Sequence, residues 1–245
     1  MVMSFFRRTD DSGIDHIEAQ VQRMVNDARH TFDLAMNAIT GGSVSSVADE
    51  VRRTDRQINI TEMEIRRELV VHFSVHAGGD ATEMLVFMNM IKDLERIGDY
   101  NKNVFDLAEE GVSFADAADL GLILGFRDEI SSRIALMGEI LTVRDEERAR
   151  AFISRGDEMR REFDALVTDL VHATDPASHA VPRALLFRFL KRITAHSVNV
   201  VTAVVMPVDR LDYHDEADDT RVRPARVARE RVVQEPVAQE WVCPS

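Results

Sequence analysis

Apolar residues recur at intervals of three and four along most of the chain. Ile14, Ile17, Val21, Met24, Val25, Ala28, Phe32, Ala35 and Ile39 form the first such run, the stripe of an amphipathic helix that turns one face to a core. Asp11 and Ser12 are suited to cap its start, and Gly41 with Gly42 to end it. A second run opens at the serines of 43–46 and carries Val51, Ile58, Ile65, Leu69, Val70 and Phe73 up to a break at Gly78 and Gly79. A third follows Asp80 through Met84, Phe87, Met88, Ile91, Leu94, Ile97, Val104 and Leu107 to Gly111. Three more helices are expected: from Asp116 to Thr142, from Asp145 to Ala173, and from Pro182, a favoured first-turn residue, to Met206 before Pro207. Helices of roughly 25 to 30 residues are about 40 Å long, and no stretch alternates as a strand does. The short links between them imply antiparallel neighbours. The expected fold is all-α: two tandem, pseudo-symmetric three-helix bundles over 12–111 and 114–210, with 212–245 a disordered tail.

The two halves echo each other in sequence. LERIGDYNKNV at 94–104 aligns with LKRITAHSVNV at 190–200, with Leu, Arg, Ile, Asn and Val in register. The echo loses its acids, because Glu95 corresponds to Lys191 and Asp99 to Ala195.

Glu95 and Asp99, four apart, lie on one face of the third helix, and Asn103 extends that face by a turn. On the second helix Asp55, Asn59 and Glu62 form a comparable stripe. In an antiparallel hairpin, facing residues have numbers with a nearly constant sum, which sets Glu62 against Glu95, Asn59 against Asp99 and Asp55 against Asn103. Carboxylates that converge this way raise one another's pKa unless cations neutralise them. Two solutions present themselves: pairing with neighbouring arginines and lysines, or a metal that accepts hard oxygen ligands, such as Mg, Mn or Fe, or Zn. In the second half a salt bridge from Lys191 to Asp164 is expected in place of the metal's charge, and Asp157, His196 and Asn199 form at most a degenerate second site.

Charge and composition narrow the function. The 245 residues carry 43 Asp and Glu against 30 Lys and Arg, a net charge of −13 that repels a phosphate backbone, so nucleic acid is not an expected partner. The lone Cys243 excludes a disulfide framework and a cysteine zinc motif. No apolar run reaches the roughly 20 residues of a membrane span, and the N-terminus lacks a secretory h-region, so a cytoplasmic location is expected. There is no Glu-x-x-His, Walker A or nucleophile-elbow segment, and no catalytic residue is assigned. His72 and His76, near the end of the second helix, read as partners of its dipole.

The 94–99 motif, preceded by DRQINITE at 55–62 and duplicated in a six-helix chain, resembles the PhoU family of phosphate-transport regulators. Asp80 resembles the start of the family's third helix, although Thr82 stands where the family has Arg. The resemblance implies metal held by Glu95 and Asp99, with Asp55, Asn59 and Glu62 contributing, and no enzymatic activity. It implies a cytoplasmic adaptor that restrains phosphate uptake and signalling, contacting a phosphate ABC transporter and a two-component sensor histidine kinase at the membrane face. It also implies a homodimer. The residues themselves leave two alternatives open: a carboxylate-bundle metalloprotein or metalloenzyme, and a metal-free helical adaptor for another transporter.

Overall fold

The computed structural model describes residues 12–75 and 81–211. They form six long helices, α1 (Ser12–Ile39), α2 (Val44–Val75), α3 (Ala81–Glu109), α4 (Leu120–Val143), α5 (Glu146–His172) and α6 (Ala177–Val205), followed by the 3-10 turn η1 (Val208–Arg210), and among the described residues there is no strand. The tail expected over 212–245, with His76, Gly78, Gly79 and Asp80, lies outside the described residues.

Helix ends follow local chemistry. After α1 the chain reverses at Gly41, whose φ of 119° suits glycine, and the Gly42 N–H donates to the Asn37 carbonyl at 2.8 Å. α3 ends in the same way at Gly111, φ 87°, with Val112 N–H donating to Leu107. Asp145 caps α5 by accepting the Arg148 N–H at 3.0 Å. Two expected boundaries are corrected. α4 begins at Leu120 rather than Asp116, because 114–119 is taken up by turns closed by Phe114 and Ala117 carbonyls. α6 begins at Ala177, with Pro176 at its N-cap, so Pro182 lies inside the helix rather than at its first position.

The apolar stripes bury themselves against one another. α1 packs on α2, α3 and α4; α3 packs on α6; and α6 packs on α4 and α5. Ile17, Val21, Met24, Val25, Ala28, Phe32, Ala35 and Ile39 are all buried. On α2 the stripe is narrower than expected: Val70 and Phe73 are exposed. One continuous core serves both halves, with Phe126, Phe163 and Phe187 clustered in the second at centroid distances of 4.6 to 6.4 Å. Glycines let helices approach. A Cβ on Gly98 would stand 3.1 Å from Ile58 Cδ1, so the glycine of the 94–99 motif brings α2 close to α3.

Candidate metal-binding and inter-repeat sites

The α2 and α3 stripes converge. Glu62 is buried, and the Glu95 side chain is 14% exposed and that of Asp99 33%. Burial pushes the Glu62 carboxyl above its usual range; Arg66 opposes the shift, and the nearby charges of Glu95 and Asp99 add to it. Asp99 is likewise raised, first by burial and then by Glu95, with Arg96 opposing and Asp55 contributing. Each motif acid also has a base on its own helix: Arg66 Nη2 donates to Glu62 at 2.7 Å, Lys92 Nζ to Glu95 at 2.7 Å and Arg96 Nη1 to Asp99 at 3.3 Å. Asn59 is half-buried on the same stripe. Among the described residues no three His, Cys, Asp or Glu side chains stand in a metal-coordinating arrangement. The four acids, Asp55, Glu62, Glu95 and Asp99, offer the oxygen ligands that a hard cation takes, and burial and neighbouring carboxylates raise two of them, Glu62 and Asp99. A cation there would have to displace the basic partners.

The second half replaces this acidic face with internal ion pairs. Lys191 Nζ donates to both Asp164 oxygens, at 2.5 and 2.6 Å, the pairing expected from the loss of the acid at that position. Arg155 spans α4 and α5, bonding Glu129 through two nitrogens at 2.7 and 2.9 Å and Glu162 at 2.8 Å. Of the degenerate set, Asp157 pairs with Arg160 at 3.0 Å on its own helix. His196 and Asn199 instead turn to a residue that sequence reasoning missed, Asp93 of α3.

The Asp93 cluster joins the repeats. Asp93 and His196 are both buried, and His196 Nδ1 donates to Asp93 Oδ1 at 2.6 Å while Asn199 Nδ2 approaches the same oxygen at 3.3 Å. Arg192 donates from Nη2 to His196 Nε2 at 3.3 Å and from Nε to the Tyr100 hydroxyl at 3.2 Å. A ring nitrogen that accepts from arginine carries a lone pair, so in this arrangement the Nδ1 proton of His196 faces Asp93. The Tyr100 ring stacks on His196, centroids 5.7 Å apart, and its other ring neighbour is Phe189 at 6.1 Å. In the alignment of 94–104 with 190–200, Tyr100 is equivalent to His196, and extending it by one residue makes Asp93, two turns earlier, equivalent to Phe189. The contact between α3 and α6 is thus made of equivalent positions, one pair polar and the other aromatic. The signal was available in the sequence: Asp93 falls between Met90 and Ile97 on the apolar face of α3, and a buried acid there needs a partner.

The His72 expectation has a structural counterpart, since it lies in the last turn of α2, buried. No helix among the described residues is long and apolar enough to cross a membrane.

Residues 21–108, spanning nearly all of α1 to α3, match the family described as PhoU domain. No functionally curated protein matches the chain. Among solved structures, that of PhoU from Pseudomonas aeruginosa is similar with a TM-score of 0.68 and 22% identity, covering 79% of this chain and 96% of that one. The stretch that holds both carboxylate stripes is therefore similar in sequence to PhoU domains, and the chain shares the fold of the Pseudomonas aeruginosa PhoU structure.

Proposed function

We propose that the protein is a non-enzymatic regulator of phosphate transport, restraining phosphate uptake and phosphate-responsive signalling when phosphate is plentiful. The observation that carries this reading is the PhoU domain over 21–108. In this proposal the partners are a phosphate ABC transporter and a sensor histidine kinase, met at the cytoplasmic face of the membrane. Long exposed helices suit docking onto other helical proteins and need no reacting group. A homodimer belongs to the same reading, and the exposed Ile60, Met63, Val70 and Val71 on α2 offer apolar surface for a seam. Deleting the gene should derepress uptake and phosphate-responsive transcription in high phosphate. Unchanged uptake and transcription would refute the proposal.

Metal binding is a second part of the proposal. Glu62, Glu95, Asp99 and Asp55 would hold a divalent or trivalent cation, Fe, Zn, Mn or Mg, which would supply the positive charge that their burial and repulsion call for. The pairing of Arg66, Lys92 and Arg96 with these acids favours the competing reading, a metal-free adaptor of the same fold. Elemental analysis of the purified protein separates them. Metal present in the parent and lost in a Glu95→Ala, Asp99→Ala variant supports the site, and equal, negligible metal in both removes it.

A further inference from the structure

The repeats pair α1 with α4 and α3 with α6 in order, and each pair is in contact, so the two ends of this four-helix centre should be alike. They are not. At one end, where α1 and α3 finish and α4 and α6 begin, the linker between repeats seats Phe114, which is 3% exposed. Its N–H donates to the Ile39 carbonyl at 2.8 Å, and the Arg183 guanidinium stands 5.3 Å above the ring, fixed by Asp119 at 3.0 Å. Gly41 leaves room for Ala115, which a Cβ there would meet at 3.1 Å.

At the opposite end, where α4 and α6 finish and α1 and α3 begin, the equivalent space is a cavity of about 330 Å³. Among the described residues its wall is largely apolar, with Val21, Phe87, Met90, Leu141 and Val204. Carried back without a gap, the alignment of 94–104 with 190–200 pairs Phe87 with Arg183. Among the described residues, the chain after α6 turns through η1 and buries Leu211 without lining the cavity. Where the other end has Gly41, this end has Arg144, held at φ 59°, a conformation that favours glycine. Arg144 lines the cavity and pairs with Glu18, and Asp15 is exposed on the same rim. The rim therefore carries two acids and one base on a chain of net charge −13.

We propose that this cavity is a docking site for an extended segment of a partner protein, one that inserts an aromatic side chain and carries lysine or arginine beside it. The molecule already shows that an aromatic residue on a non-helical segment fills the equivalent space at its other end, and the acidic rim selects cationic flanks. The inference rests on the reading of the protein as an adaptor.

Its test uses the purified full chain and synthetic peptides, with binding read by calorimetry. One peptide copies residues 111–119 with lysine at the two aspartate positions; a second keeps the aspartates; a third is the lysine peptide with alanine for phenylalanine. The lysine peptide should bind about tenfold or more tighter than either control. Ala19→Trp, an exposed substitution at the mouth, should weaken it by a similar factor, and Asp15→Lys should abolish the preference for lysine over aspartate, both variants retaining the parent's circular dichroism. The proposal is overturned if the lysine peptide does not bind, if loss of the phenyl ring or the Ala19→Trp block leaves affinity unchanged, or if phenethylamine binds where the peptide does not, which would make this a small-molecule site. Because binding is measured on the isolated protein, such a failure leaves the uptake experiment standing on its own.

Discussion

Gly156 lets α5 approach α6 closely, and adding one methyl group there has a calculable effect. A Cβ at 156 would overlap the Cγ2 methyl of Val198 on α6 and stand 2.9 Å from Arg133 Nη2. Neither neighbour yields easily. Val198 is fully buried, and a β-branched side chain on a helix has essentially one rotamer. Arg133 is buried, donates to the Phe152 carbonyl at 2.8 Å and lies 3.9 Å over the Phe152 ring. Burial already lowers its pKa to about 10. Overpacking of this kind costs about 1–3 kcal/mol, while replacing a mid-helix glycine by alanine returns up to about 1 kcal/mol of helix propensity. Gly156→Ala is therefore expected to destabilise the protein by about 1–2 kcal/mol, or about 5 °C in Tm for a chain of this size. The reference is Gly125→Ala on α4, where a Cβ meets nothing within 4 Å and the propensity gain stands alone. Urea denaturation of both variants, with Val198→Ala added to each, isolates the clash: removing the valine methyls should rescue Gly156→Ala specifically, with a coupling of about 1 kcal/mol or more. If Gly156→Ala proves as stable as Gly125→Ala, the close approach of α5 and α6 is not what the glycine provides.

Two further outcomes follow from the inter-repeat and acidic sites. Asp93→Ala leaves the buried His196 donor and the half-buried Asn199 donor without their acceptor and should cost about 3 kcal/mol in urea denaturation, whereas Asp93→Asn keeps an acceptor and should cost less; a loss below about 1 kcal/mol for the alanine variant would refute the role given to Asp93. Asp99 is raised above the ordinary aspartate value of 3.8 by burial and by Glu95, so the folded state holds its proton to higher pH than the unfolded chain does. Its contribution to stability is fully present below that ordinary value and is lost as pH rises through the folded value. Asp99→Asn should consequently gain stability relative to the parent between pH 4 and pH 7, as thermal melts at the two pH values will show, and a variant-minus-parent difference in Tm that falls or stays level with rising pH would contradict the assignment.

Periodicity alone determined six helices and most of their buried faces, because a stripe with a 3.6-residue period can be covered only by packing against another. The i, i+4 spacing and hairpin register likewise placed the acids of α2 and α3 on converging faces, and the exchange of Glu95 for Lys191 between repeats foretold the bond to Asp164. These are local properties, set by neighbours on one helix or across one turn. What the tertiary structure decided depends on elements far apart in the chain. It set Asp93 against His196, drawing His196 and Asn199 away from the grouping with Asp157, because the crossing of α3 and α6 has no signature in either helix taken singly. It exposed Val70 and Phe73, because the cover α2 receives depends on where other helices lie. Among the described residues it also left one end of a nearly symmetric centre filled by Phe114 and a cavity at the other, because the single linker that joins the two repeats closes only one of the two ends.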